Sequence, residues 1–357
     1  MGLVPRTIGV EEEFLLVDTD GQLSGRGPEV AAAAGTRDAG EVETELTVCQ
    51  VEAVSGICRT PGDVLGRLTA LRSALASAAR DRALRLLPSG CPVLPEDDRP
   101  QITPKPRYLR MARHFGATAR AGSTCGCHVH VEMPDRELGV AVINHVRPWL
   151  PVLLALTANS PYDGGDTGYA SWRYQIWSRW PSAGPPPVFA SLDEYESTVD
   201  ALLRSEAILD KGMVYWDVRL SAHQPTLEFR VADVAARASD AALLAIVVRG
   251  LVEHAVDRVS AGVPVPDLPD AVLRANLWCA SHHGLRGASL HPFTGDLVPL
   301  DEQLSDLVGR LELGPDTEFV GSGLASLGAT GGGADLQRAA FARRSSLSDV
   351  VDDLALR

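Results

Sequence analysis

The stretch TIGVEEEFLLVD at residues 7–18 sets three adjacent glutamates inside an otherwise apolar run. The apolar residues on both sides predict a buried β-strand. Because successive side chains of a strand point to opposite faces, we expect Glu11 and Glu13 on one face and Glu12 on the other. Burying an unpaired carboxylate is costly, and neighbouring carboxylates repel each other. The sequence therefore predicts a source of positive charge for these glutamates inside the protein.

A second strand with polar side chains is predicted in CHVHVEM, which begins at Cys127. Alternation places His128, His130 and Glu132 on one face, and two explanations stay open. The strand either contributes to a metal or phosphate site, or it is an edge strand that turns its polar side to water. A zinc site that includes Cys125 and Cys127 is disfavoured, because the thiols and the imidazoles face opposite sides of the strand.

The stretch TLEFRVADV, which begins at Thr226, repeats the alternation and places Glu228 and Arg230 on one face. An ordinary ion pair on a solvated sheet would give the same pattern and would contribute little to stability. Carboxylates and imidazoles gathered on a shared face fit Mg²⁺ or Mn²⁺ better than zinc. A neighbouring arginine suits a phosphate group. The positive charge near the glutamates is therefore predicted to be a divalent metal ion.

Two further glutamates lie in EVETELTVCQVEAVSG at residues 41–56, which predicts one strand or a bulged pair of strands. Glu45 and Glu52 are seven positions apart and would face opposite sides of one regular strand. A bulge could bring both side chains to the same site, and the spacing alone leaves this open.

The order of the predicted elements favours the α+β class with a mostly antiparallel sheet. Strands fall irregularly among helices in the first two-thirds, and helices dominate the last third. Helices are predicted at 61–84 and 193–209, and a long loop at 160–187. Further strands are predicted at 214–221 and 225–232.

The composition of the chain argues against several classes of protein. The chain has 357 residues, 45% of them apolar, which is ample for a large core. A net charge of −13 argues against a nucleic-acid-binding protein. The most apolar stretch, at 138–160, contains two prolines and charged or ionisable residues, so it is predicted to be a broken buried helix and not a membrane span. Six cysteines without regular spacing and no evident signal peptide predict a cytoplasmic protein with reduced thiols.

Five blocks of the sequence together resemble the carboxylate–amine ligases of the glutamate–cysteine ligase type 2 family. They are TIGVEEEF, the spacing of Glu45 and Glu52, CGCHVHV, TGYASWRYQIWSRWP and TLEFRVADV, and they follow in the family's order. The resemblance implies a glutamine-synthetase-like fold, in which a curved antiparallel β-sheet funnel flanked by helices holds ATP and Mg²⁺. It also implies a single catalytic domain over residues 1–357.

The resemblance implies roles for individual residues. Six match metal-binding positions of the family: Glu11, Glu13, Glu45, Glu52, His128 and Glu228. Arg230 matches an arginine that meets the ATP phosphates, so Arg230 and Glu228 are the catalytic candidates. Arg173 matches an arginine that holds the substrate carboxylate. His130 stands where distant relatives carry Asn, and it is a second substrate-binding candidate.

The implied activity is ATP-dependent amide-bond formation through an acyl phosphate, from L-glutamate and L-cysteine to γ-glutamylcysteine. Its cofactors would be ATP and Mg²⁺, with Mn²⁺ as an alternative metal. A ligase for another small acid or amine, a catalytically silent binding protein of the same fold and a metal-dependent hydrolase stay open, as does a homodimer. The 160–187 segment, with Trp172, Trp177 and Trp180, is expected to act as a lid or wall that shields the acyl phosphate from water.

Overall fold

The computed structural model describes residues 5–35, 38–96 and 101–356, so the predicted domain bounds of 1 and 357 lie outside it. The described residues form nine strands: β1 (Ile8–Val17), β2 (Gly40–Thr44), β3 (Gln50–Ser55), β4 (Arg85–Leu87), β5 (Gly126–Glu132), β6 (Val218–Leu220), β7 (Thr226–Asp233), β8 (Ala288–Leu290) and β9 (Leu297–Pro299). The helices of the same residues are α1 (Gly27–Ala34), α2 (Pro61–Arg80), α3 (Pro106–Phe115), α4 (Arg136–Val146), α5 (Leu150–Thr157), α6 (Trp172–Trp177), α7 (Leu192–Arg204), α8 (Ala238–Ser260), α9 (Asp270–His283), α10 (Leu300–Arg310), α11 (Thr317–Thr330), α12 (Gly333–Arg344) and α13 (Leu347–Leu354).

A single antiparallel sheet carries the polar strands that the sequence singled out. Its order is β2-β3-β1-β5-β7-β6, and β4 pairs with the far end of β1. Because β5 lies between β1 and β7, the structure excludes the edge-strand explanation for CHVHVEM, one of the two that the sequence left open. The antiparallel pairing confirms the predicted α+β class.

The strand register aligns polar side chains in rows across the sheet. Glu11 pairs with His128 across β1 and β5, and Glu13 pairs with Glu52 across β1 and β3. Glu228 has a partner on each side, His130 on β5 and Arg219 on β6. Neighbouring side chains in such a row lie close enough to interact directly. The pairing of β5 with β7 also shifts between Cys127 and Val129, which places a β-bulge beside His128.

Helices α2 and α8 cover the opposite face of the sheet. Thr60 caps the N-terminus of helix α2: its hydroxyl accepts the Asp63 backbone N–H, while the Asp63 carboxylate accepts the Thr60 N–H, a capping box. Glu12 points to this face and is fully buried, where Arg72 of α2 donates to both of its oxygens at 2.5 and 2.9 Å. The prediction that Glu12 faces away from the other two glutamates is therefore confirmed.

Several predicted elements differ from the observed ones. The 41–56 stretch forms a hairpin of two strands. The loop prediction for 160–187 is wrong at α6, and the predicted strand at 214–221 is shortened to β6. The C-terminal third is helical as predicted, but it also contains the small β8–β9 sheet.

The apolar 138–160 stretch forms α4, a short 3₁₀ turn and α5, as expected for a helix broken by proline. Among the described residues, Arg136–Thr157 is the one helical stretch long and apolar enough to cross a membrane. Since 89% of its most apolar window is buried inside the protein, this stretch forms part of the core.

Candidate active site

A cavity of about 530 Å³ opens on the sheet face that α2 and α8 leave uncovered. The structure brings eight of the nine predicted site residues to its lining: Glu11, Glu13, Glu45, Glu52, His128, His130, Glu228 and Arg230. The ninth, Arg173, is not among the residues that line it.

Glu45 reaches the cavity without a bulge. It follows β2 directly, and Glu43 of β2 pairs with Glu52 of β3. Glu41, Glu43 and Glu45 therefore alternate onto the face that Glu52 also occupies, and all four line the cavity. The spacing alone left this placement open because a turn separates the two glutamates, and the chain reverses direction between Glu45, just after β2, and Glu52 on β3.

Two histidines contact Glu11. His128 Nδ1 lies 3.1 Å from one carboxylate oxygen of Glu11, and His130 Nε2 lies 3.1 Å from the other. His130 is held from its other side by the Thr226 hydroxyl at 2.9 Å. The Nε2 atom of His128 is buried without a hydrogen-bond partner, and it lies 4.0 Å from Glu13. A buried nitrogen of this kind is suited to a metal ion, since a neutral imidazole nitrogen can donate its lone pair.

Two sets of side chains have ligand atoms close enough to hold one cation each. Glu11, His128 and Glu228 form the first, and Glu13, Glu52 and His128 form the second. Within each set the ligand atoms lie within 4.8 Å of one another, as expected for ligands around one small ion. Among the described residues neither set includes a thiol, and Cys125 and Cys127 are buried in the hydrophobic core, so the structure also disfavours a zinc site that includes these two cysteines.

The electrostatics of the cluster favour a bound cation. Burial and the Glu45 charge raise the pKa of Glu13 to about 7. Burial and the surrounding carboxylates raise the pKa of Glu52 well above its usual value. Burial and the nearby Arg230 lower the pKa of His128 to about 4, so its imidazole is neutral and able to act as a ligand. These carboxyls therefore tend to keep their protons in the metal-free protein, and a divalent cation beside the neutral imidazole would displace those protons and favour the ionised carboxylates that can act as ligands.

Glu228 differs from the other carboxylates because two arginines hold it. Arg219 binds it through a two-pronged contact, Nε to Oε2 and Nη2 to Oε1, both at 2.9 Å. Arg230 donates to Oε1 as well. Although burial opposes ionisation, these charges hold the pKa of Glu228 well below its usual range. Sequence reasoning missed Arg219, which the register of the β6–β7 hairpin would have placed opposite Glu228.

Arg173 is buried, with 1% of its surface exposed. Its guanidinium carbon lies 5.7 Å from the Trp177 ring centroid, and one nitrogen lies 3.9 Å from Asp233. Its Nε and Nη1 atoms are buried without hydrogen-bond partners. The side chain thus retains unused donors, although it does not line the cavity.

The wall facing the carboxylates is aromatic and apolar. Trp177 and Trp180 from the 160–187 segment line it together with Tyr215, and the Trp177 and Tyr215 ring centroids are 4.8 Å apart. Trp172 does not line the cavity; its indole donates to Asp163 at 2.9 Å and packs against Tyr169. The 160–187 segment forms a packed wall that is anchored to the sheet. The prediction that Trp172 is one of the tryptophans that cover the site is wrong.

The comparisons with known proteins agree with this geometry. The family model "Glutamate-cysteine ligase family 2 (GCS2)" matches residues 7–328. The chain belongs to glutamate–cysteine ligase family 2. A protein of Rhodococcus jostii named "Putative glutamate--cysteine ligase 2-1" is 50% identical over 350 residues, which cover 97% of this chain and 95% of that protein. A protein of Mycobacterium sp. strain KMS named "Putative glutamate--cysteine ligase 2-2" is 46% identical over 356 residues, which cover 98% of this chain and 97% of that protein.

Two solved ligases share the fold. The glutamate–cysteine ligase of Francisella tularensis, solved with AMP, superposes with a TM-score of 0.70 at 13% identity, over 99% of this chain and 89% of that one. The bifunctional glutathione synthetase of Pasteurella multocida gives a TM-score of 0.70 at 16% identity, over 98% of this chain and 52% of that one. The predicted glutamine-synthetase-like fold is confirmed, and the family makes the chain an ATP-dependent carboxylate–amine ligase.

Proposed function

We propose that this ligase joins L-glutamate to L-cysteine and forms γ-glutamylcysteine, ADP and phosphate. The observation that carries the proposal is the cluster of glutamates around a neutral, partly unpartnered His128, next to an arginine with unused donors. This arrangement suits the transfer of a phosphoryl group from ATP. The names of the relatives support the choice of the two amino acids.

The reaction needs ATP because an amine does not attack a carboxylate at neutral pH. A carboxylate oxygen of the acid first takes the γ-phosphoryl group, and ADP leaves. The amine nitrogen then attacks the acyl carbon, the carbon–oxygen bond to the phosphate breaks, and inorganic phosphate departs with a proton released from the amine. Mg²⁺ or Mn²⁺, held by Glu11, His128 and Glu228 or by Glu13, Glu52 and His128, would supply charge neutralisation at the phosphates. Glu45 would add negative charge beside these ligands.

Arg230 is the proposed phosphate-binding residue. Its Nε atom is buried without a partner, and its guanidinium carbon lies 5.6 Å from the Tyr215 ring centroid and 6.0 Å from that of Trp177. The rings restrict the guanidinium while leaving donors free for the transferred group. Charge-assisted contacts of this kind stabilise the transition state most in a site from which water is excluded.

Two residues are proposed to bind the acid substrate. Arg173 has two buried donors without partners, which a carboxylate could satisfy after a movement of Trp177. His130 lines the cavity and is already oriented by Thr226. The packed aromatic wall would keep water from the acyl phosphate.

A second candidate is a ligase for a different amine. Met111, Ile176, Trp177 and Tyr215 give the cavity an apolar and aromatic wall that would also accommodate an acceptor with an apolar side chain. We further propose that the chain acts as one catalytic domain in the cytoplasm. The family match over 7–328 supports the single domain.

Incubation with ATP, Mg²⁺ and pooled amino acids, followed by mass spectrometry, tests the proposal. We expect γ-glutamylcysteine to appear together with ADP. Another amide accompanied by ADP would establish the second candidate. ATP-independent hydrolysis of amides would indicate a hydrolase, and the absence of any ADP or amide would indicate a silent binding protein; both results would overturn the proposal.

A further inference from the structure

Arg219 is the buried partner of Glu228 on the neighbouring strand. It is 7% exposed and contacts both carboxylate oxygens in the planar geometry that guanidinium and carboxylate groups favour. Its remaining nitrogen, Nη1, donates to the backbone oxygens of Gly212 and Val214, each at 2.8 Å. All three of its nitrogens are therefore committed to the protein.

This pattern separates Arg219 from Arg230. The two arginines contact the same carboxylate, but the Nε of Arg230 is buried without a partner. Arg230 can thus donate to a ligand without giving up its bond to Glu228. Arg219 could contact a ligand only by releasing Glu228 or the backbone oxygens that it binds. Its contacts therefore suit a residue that holds Glu228 in place and does not itself bind a ligand.

The contacts of Arg219 also join two walls of the cavity. The backbone oxygens that it holds belong to the 211–214 turn, which follows Asp210. The Asp210 carboxylate accepts from Nε and Nη2 of Arg107, both at 2.9 Å, and Arg107 lies on α3 at the cavity lining. The 210–214 segment therefore links Arg219, which holds Glu228, to Arg107 at the start of α3, and fixes the two residues relative to each other.

We propose that Arg219 is a positioning residue that holds the Glu228 carboxylate towards the cation set of Glu11 and His128. The inference rests on the proposed metal-binding role of Glu228. A carboxylate fixed on one side by a rigid two-pronged contact loses little further freedom when it binds a cation on its other side. Partners that orient a metal ligand typically contribute 10–100-fold to metal affinity.

The test is Mn²⁺ binding to the nucleotide-free protein, measured by electron paramagnetic resonance for Arg219→Met and Arg219→Lys. We expect a loss of about 10–100-fold in Mn²⁺ affinity for the Met variant, and a smaller loss for Lys, which keeps the charge but not the two-pronged contact. Arg136→Met is the matched control, because its exposed ion pair with Glu196 lies on the surface. It should bind Mn²⁺ as the wild type does.

A double variant shows whether Arg219 acts through Glu228. Adding Arg219→Met to Glu228→Gln should lower Mn²⁺ affinity no further than Glu228→Gln alone. Wild-type Mn²⁺ affinity in folded Arg219→Lys and Arg219→Met would overturn the inference, even if both melt at a lower temperature; if the Met variant does not fold, the Lys variant alone decides. Wild-type affinity in Glu228→Gln would instead overturn the metal-binding role of Glu228, so the two failures are distinguishable.

Discussion

Removing Arg72 should destabilise the protein strongly, because Glu12 would remain buried beneath the sheet without a counter-charge. Glu12 is fully buried, and Arg72 supplies both of its side-chain hydrogen bonds in the described structure. Arg72 also donates to the backbone oxygens of Ala235 and Ala236, just beyond β7. Breaking a buried ion pair from one side typically costs about 3–5 kcal/mol.

The expected change in melting temperature follows from the size of the chain. An unfolding entropy of about 2.1 cal/mol/K per residue, over 357 residues, gives about 0.75 kcal/mol/K. Dividing about 3–5 kcal/mol by this value predicts that Arg72→Met lowers the Tm by about 4–7 °C.

Differential scanning calorimetry of metal-free protein measures the effect. Arg136→Met is the control, since exposed ion pairs contribute about 0–1 kcal/mol, and its Tm should fall by no more than about 1 °C. The double variant Glu12→Leu with Arg72→Met removes both charges and should recover at least half of the loss. A decrease for Arg72→Met no larger than that of the control, or a double variant less stable than Arg72→Met, would refute the reasoning.

Three further predictions concern the cavity. Arg230→Lys keeps the charge but loses the planar donor group, so kcat should fall by about 10²-fold or more, whereas a change limited to the KM for the amine would contradict its phosphate role. With acid and ATP but no amine, Trp177→Ala should release ADP faster than the wild type and Trp172→Ala should not, because only Trp177 lines the cavity; equal rates in both variants would argue against the wall. The pKa of Glu13 is raised to about 7, so the folded metal-free protein retains a proton that the unfolded chain has lost, and stability falls as pH rises from about 4.5 to about 7. The increase in Tm on adding Mg²⁺ should therefore be larger at about pH 8 than at about pH 5, and the reverse order would contradict the cluster as a cation site.

What the sequence could predict was local. Strand alternation alone predicted that Glu12 faces away from Glu11 and Glu13. That strands far apart in the chain contribute to one site was implied by the family resemblance. The partner of Glu12 could not be predicted, because Arg72 lies 60 positions away on a helix and nothing local shows that α2 covers this face.

The points that the sequence left open or predicted wrongly have the same physical origin. The spacing of Glu45 and Glu52 does not show that the chain reverses between them. Trp172 and Trp177 belong to one short helix and point to different surroundings, which the tertiary packing of α6 decides. The deep burial of Arg173 likewise depends on contacts with Trp177 and Asp233 that form only in the folded protein.

The transfer of a carboxylate oxygen to phosphate tests the central claim most directly. Incubation with pooled amino acids identifies the acid substrate, which we expect to be L-glutamate. This acid is labelled with ¹⁸O at its reacting carboxylate and turned over with ATP, Mg²⁺ and the amine. An acyl phosphate leaves one labelled oxygen in the amide and passes the other to inorganic phosphate. We predict one ¹⁸O atom in the phosphate for every amide formed, and unlabelled phosphate accompanying amide formation would contradict the account.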